Sequence, residues 1–159
     1  MIEGLSKQLI VTAKQYDVLV DRLVEEIYKK CYKKHKIDCT TRSQLLYVAL
    51  KNIGLNPIML RYLNSKDQEK RVKIRLLSGE KYESHVVILL DNNILDSNLL
   101  HKMTKEEYDK KIREINKGIT VISIKYQSPI NKEWLEKMCE ECNLSSFFTE
   151  ALKNPENFK

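Results

Sequence analysis

The stretch Ser84-His85-Val86-Val87-Ile88-Leu89-Leu90-Asp91-Asn92-Asn93-Ile94-Leu95-Asp96-Ser97-Asn98 decides how this chain folds. Val86 to Leu90 is an unbroken aliphatic run with the length and branching of a buried strand. Asp91-Asn92-Asn93 are residues that tolerate positive φ, as a tight two-residue hairpin loop requires, and Ile94 to Asp96 returns as a second strand. With Asp91-Asn92 as the loop, Leu90 faces Asn93, Val87 faces Asp96 and His85 faces Asn98. Side chains alternate faces along a strand, so His85, Asp96 and Asn98 fall on one side of the sheet, with Asp96 diagonal to His85. A loop one residue longer would turn Asp96 to the other face.

Outward from this hairpin, Ile58 to Leu63, Val72 to Leu77 and Gly118 to Lys125 are further β-branched or aliphatic runs between turn residues. They predict an antiparallel sheet of three to five strands. Helices flank it. Leu9, Ala13, Tyr16, Val20, Leu23, Ile27 and Cys31 recur at steps of three and four, the stripe of an amphipathic helix over roughly residues 5 to 33. A second stripe, from Arg42 through Leu45, Leu46, Ala49 and Leu50 to Ile53, starts at Cys39 or Thr41 and ends at Gly54, the residue type suited to a left-handed cap. Met103 to Lys117 reads as a surface helix with Thr104 and Glu107 as a capping box, and Asn131 to Cys142 and Ser146 to Leu152 as closing helices. Helices, then sheet, then helices, with no repeat or linker, make an α+β arrangement in a single domain over residues 1–159.

Composition agrees with an ordered chain. Of 159 residues 42% are apolar and 31% charged, with four Gly and three Pro, which excludes collagen-like, low-complexity and wholly disordered classes. No run approaches the roughly 20 apolar residues of a membrane span, and Met1-Ile2-Glu3-Gly4 opens no export signal. The expected setting is therefore the cytoplasm, away from membrane, where Cys31, Cys39, Cys139 and Cys142 are thiols. The net charge of +6 is dense only at Lys29, Lys30, Lys33, Lys34 and Lys36, which is weak ground for a nucleic-acid partner.

Few residues are available for chemistry. Of the three histidines, His35 lies in the basic stretch and His101 in a polar one, and His85 alone opens an apolar strand. Cys39 is the candidate nucleophile. Asp38 or Thr41, the latter in a capping box with Gln44, can cap the helix that starts there, so Cys39 falls at its first turn. Unpaired amides and the helix dipole favour a thiolate at that place and stabilise an oxyanion on an attacked carbonyl. Cys31 lies on an apolar stripe and Cys139 and Cys142 on one helical face, where small buried thiols are common. Two other readings compete. A zinc site would join Cys139-Glu-Glu-Cys142 to Cys31 and Cys39, but structural zinc sites present two short knuckles and here there is one close pair, so neither metal nor cofactor is expected. A non-catalytic binding module for nucleic acid or a protein would use the basic loop 29–36. The same lysines, beside Cys39, suit an acidic peptide or protein substrate.

Taken together, Cys39-Thr-Thr-Arg42-Ser43-Gln44-Leu45-Leu46 running to Ile53-Gly54-Leu55-Asn56-Pro57, then Ser84-His85-Val86-Val87, then Ile94-Leu95-Asp96-Ser97 resembles the core of the transglutaminase-like superfamily over roughly residues 36 to 98. In that family a Cys starts a helix that ends in Gly before a strand, a His opens a strand, and an Asp follows on the next strand about ten residues on. The resemblance implies a transglutaminase-like, papain-like fold with N-terminal helices on the sheet. It also implies a triad of Cys39 as nucleophile, His85 as base and then acid, and Asp96 orienting the imidazole. Members include transglutaminases, cysteine peptidases, deamidating effectors, peptide N-glycanases and the leader peptidases of lasso-peptide pathways, all attacking an amide carbonyl through a thioester. This chain has Val87 where the family usually has an aromatic residue, and no Trp before the Asp. Gln8, Gln15 and Gln44 are the side chains available as oxyanion donors. The length leaves no room for the accessory domains of large cross-linking enzymes, so a peptidase or glutamine deamidase acting on a peptide or protein is the expected function.

Overall fold

The computed structural model describes residues 16–65 and 72–159. Helix α1 (residues 16–34) leads to α2 (Cys39–Asn52) and then to strands β1 (Ile58–Asn64), β2 (Ile74–Arg75), β3 (Lys81–Tyr82), β4 (Ser84–Leu90), β5 (Asn93–Leu95) and β6 (Met103–Thr104). Helix α3 (Lys105–Glu114), strand β7 (Val121–Lys125), helices α4 (Lys132–Glu141) and α5 (Ser146–Leu152) and a 3-10 turn (Pro155–Phe158) follow. The described residues form a mixed α+β protein of five helices and a five-stranded antiparallel sheet in the order β6-β5-β4-β1-β7.

The sheet is covered on both faces. On one, α1, α2, α4 and α5 pack Ile27, Leu45, Leu46, Leu135 and Phe148 against Met59, Val86, Ile88 and Leu95 of the strands. On the other, Tyr108 and Ile112 of α3, with Ile74 and Leu76, pack against Leu60, Tyr62, Val87, Ile94 and Val121. Central strand β4 therefore buries Val86 and Ile88 one way and Val87 the other, which is why its sequence is continuously apolar rather than alternating. Burying each such side chain contributes roughly 1.5–3 kcal/mol, so the strand that carries His85 is anchored on both faces of the sheet. Helix α2 is buried nearly all round, from Thr41 to Leu46 and from Val48 to Leu50.

The hairpin has the register of an Asp91-Asn92 loop: Leu90 pairs with Asn93, Leu89 with Ile94 and Ile88 with Leu95, and Asp91 takes the left-handed φ of +54°. Three elements differ from expectation. The start of the first helix near residue 5, with Leu9 and Ala13, lies outside the described residues, and its last two turns, Ile27–Lys34, are wound as a π-helix. Leu23, Ile27 and Cys31 are spaced by four, which overshoots a 3.6-residue turn, and the wider winding keeps Ile27 and Cys31 fully buried. The run Val72 to Leu77 does not join the sheet. Both edges of β1 are taken by β4 and β7, so only Ile74–Arg75 is extended, paired with β3 in a separate two-stranded ribbon. The side-chain amide of Asn116 stands in for the missing neighbour, accepting from Arg75 N at 2.7 Å and donating to Arg75 O at 2.9 Å. The helix expected over Met103 to Lys117 is shorter, because Met103–Thr104 pairs with β5 before Thr104 caps α3 by accepting from Glu107 N at 3.2 Å.

Candidate active site

Asp38, not Thr41, caps α2: Oδ1 accepts from Thr41 N at 2.8 Å and Oδ2 from the Thr41 hydroxyl at 3.1 Å. Cys39 is thereby the first helical residue, and the N–H groups of Cys39 and Thr40 have no acceptor within the helix. The helix is pinned to the sheet beside the strand that carries His85, because Ser43 Oγ donates to Val86 O at 3.0 Å. From α4, Trp134 Nε1 donates to Thr41 Oγ1 at 3.0 Å and braces the same first turn.

His85 and Asp96 are almost fully buried, and His85 Nε2 lies 2.8 Å from Asp96 Oδ1. The carboxylate has two further donors, Asn98 N at 2.9 Å on Oδ1 and the Tyr108 hydroxyl at 2.7 Å on Oδ2. Burial opposes its charge, but His85, Tyr108 and the Asn98 amide together hold its pKa below the ordinary carboxylate value. Burial also opposes a charged imidazole, and here the Asp96 carboxylate and the Cys39 sulfur outweigh it and raise His85 to about 9. With Nε2 committed to Asp96, the ring has Nδ1 left for the sulfur. The Cys39 thiol, which burial alone would push up, is drawn below its usual value by His85, the Val86 N–H and the Arg42 guanidinium. The two opposite shifts show each group stabilising the charged form of the other.

Arg42, one turn after Cys39, is buried and tied to the segment that follows β5. Its Nε donates to Ser97 Oγ at 2.8 Å, its two terminal nitrogens donate to Ile37 O and Asn98 Oδ1, and the guanidinium stacks 4.7 Å from the Tyr32 ring. Asn98 is thus occupied by Arg42, with its amide nitrogen 3.3 Å from Ser78 Oγ, and it is Asp96 that holds the imidazole. A cleft of about 530 Å³ opens on this site, lined by Cys39, His85 and Arg42 and by Tyr32, Glu80 and Tyr82. Glu80 accepts from both the Tyr32 and the Tyr82 hydroxyls.

The structure brings Cys39, His85 and Asp96 together and keeps the other cysteines apart. Cys31, Cys139 and Cys142 share the helix-side core, and among the described residues no group of three His, Cys, Asp or Glu side chains is placed to hold a metal. Gln8 and Gln15 lie outside the described residues, and Gln44, five residues beyond Cys39, is buried on a different face of α2. Tyr108 and Trp134 are the residues that sequence reasoning missed. Tyr108 and Ile112 are the buried residues of α3, one turn apart, so that helix's short apolar stripe was the available signal. Comparison of the chain with family models, curated proteins and solved structures finds no match.

Proposed function

We propose that this chain is a cysteine-dependent hydrolase of transglutaminase-like type, acting as a peptidase or glutamine deamidase on an amide bond of a peptide or protein. One observation carries the reading: a cysteine on the first turn of a buried helix sits against a histidine whose far nitrogen is 2.8 Å from a buried carboxylate. The Cys39 thiolate attacks the amide carbonyl, and the oxyanion that forms meets the free amides at the start of α2. The His85 imidazolium then gives its proton to the departing nitrogen, leaving a thioester on Cys39. Water, deprotonated by His85, releases the acid, and Asp96 holds the ring in one orientation and stabilises its charged form through both steps.

The test is to treat the folded protein with iodoacetamide at neutral pH and map the modified thiol. Cys39 is expected to react first, and the Cys39→Ala protein to fold yet lose turnover on any peptide amide that the native chain cleaves. Equal modification of Cys39, Cys139 and Cys142, or full activity in the variant, would end the assignment and leave as the remaining functional feature the basic stretch 29–36, which is not a loop throughout but lies on the last turns of α1 and the turn after it.

A further inference from the structure

The cleft over Cys39 is lined by three cationic side chains, Lys33, Lys36 and Arg42, against two carboxylates, Asp38 and Glu80. Both carboxylates in its lining are used internally: Asp38 caps α2, and Glu80 is clamped between two tyrosine hydroxyls. Among the described residues no hydrogen bond or ion pair holds either ammonium group in the lining. Lys33 lies 5.4 Å from the Tyr32 ring and 5.5 Å from the Tyr28 ring, and Lys36 projects from the turn between α1 and α2, and among the described residues neither has a carboxylate partner. Elsewhere in the basic stretch Lys29 pairs with Glu25 and Lys30 donates to Asn143 O at 2.8 Å, and Lys34 is exposed and does not line the cleft.

The position of Lys36 is built rather than loose. Its backbone is held at φ +52°, a left-handed conformation that a residue with a Cβ seldom adopts. Ile37 locks that turn, its N–H on Cys31 O at 2.7 Å and its carbonyl taking a hydrogen bond from Arg42, the residue that also secures the segment after Asp96. The same guanidinium that braces the triad therefore braces the turn that presents Lys36 to the cleft.

We infer that the cleft selects an anionic substrate, a peptide or protein with an Asp or Glu side chain close to the attacked amide, which Lys33 and Lys36 receive. This rests on Cys39 being the nucleophile. Exposed lysines attract such a group through partly screened charge, so the effect is one of selectivity and sensitivity to salt rather than of chemistry.

Iodoacetate and iodoacetamide test this, because they alkylate the same sulfur, are nearly the same size, and differ in carrying an anion. The ratio of their rates at Cys39 is measured in the native protein and in the Lys33→Gln, Lys36→Gln double variant. His85 and Arg42 are present in both proteins and cancel from the comparison. The ratio is expected to favour iodoacetate in the native protein, to fall about fivefold in the double variant, and to fall in the native protein as salt is raised. A ratio unchanged by the substitutions, or insensitive to salt in the native chain, would overturn the anionic substrate and leave the nucleophile standing. A Cys39 inert to both reagents would overturn the nucleophile itself, and the inference with it.

Discussion

Cys39 and Cys31 are the same side chain in two desolvated places, and their thiols are driven in opposite directions. Burial is the largest influence on all four cysteines and raises every one. In the helix-side core, Cys31 and Cys139 meet other thiols, and Cys139, with Glu26 and Glu136 also near, is pushed up to about 12. At the start of α2, burial is outweighed by an imidazole, a backbone N–H and a guanidinium, and the Cys39 thiol goes down. The direction of each thiol's shift therefore follows the neighbours that burial brings with it, not depth. In this chain those neighbours are delivered by β4, which carries His85 and Val86 in succession, and by Arg42 one helical turn on.

The largest way to break that contrast is to leave Cys39 where it is and remove the anion behind His85. Asp96→Asn keeps a side chain of the same shape on the imidazole but takes away its charge, so the ring holds its proton less well and the thiolate loses its counterion. Turnover is expected to fall by about 10²- to 10⁴-fold, and alkylation of Cys39 at neutral pH to slow toward that of the core thiols. Asn98→Ala is expected to cost less than about tenfold, since that amide holds Arg42 and not the imidazole. Initial rates for the two variants decide the matter, and equal losses would mean that Asp96 does not orient His85.

A smaller effect sharpens the contrast from behind the carboxylate. The Tyr108 hydroxyl is a buried donor to Asp96 Oδ2, packed against Tyr62 at 5.1 Å between ring centroids, and hydrogen bonds to buried charges are worth about 1.5–3 kcal/mol. Tyr108→Phe is expected to lower stability by about 2 kcal/mol in urea unfolding and turnover by about tenfold, with Cys39 still the first thiol alkylated. A loss as large as that of Asp96→Asn would give Tyr108 a part beyond positioning.

What the sequence made legible was local. The Asp91-Asn92 loop depends on residues that tolerate positive φ, and once that loop is set, pleating fixes the faces of His85 and Asp96. Gly54 at +87° closing α2, and Asp38 opening it, are likewise decided within a few residues. The contacts that were not legible join elements far apart in sequence: Arg42 to Ser97 and Asn98, Tyr108 to Asp96, Trp134 to Thr41, and Asn116 in place of a strand beside Arg75. Periodicity says which face of an element is buried, not which polar atom on that face meets which partner. The contacts that support Cys39, His85 and Asp96 therefore stayed hidden, although the placing of His85 and Asp96 on one face did not.

The smallest effect concerns protons, and it separates a coupled pair from two independent groups. A His85 raised from its ordinary value to about 9 keeps a proton in the folded state that the unfolded chain releases near pH 6.5. Alone, it would make stability greatest below pH 6.5 and lost as pH rises through 9, by up to about 1.4 kcal/mol per pH unit. A Cys39 lowered from its ordinary value acts in the opposite sense, because the folded state has given up a proton that the unfolded chain keeps until about pH 9, and stability from it grows as pH rises. When the proton missing from Cys39 is the one held by His85, folded and unfolded chains bind equal numbers between those limits and the two slopes cancel. The native protein is therefore expected to show nearly constant unfolding free energy from pH 7 to 8.5. Cys39→Ala removes one side of the balance and also weakens the hold on the His85 proton, so its stability is expected to decline with pH over the lower part of that range. Urea unfolding of both proteins at half-unit pH steps measures the difference. Parallel curves would show that Cys39 and His85 do not share a proton, whatever the distance between them.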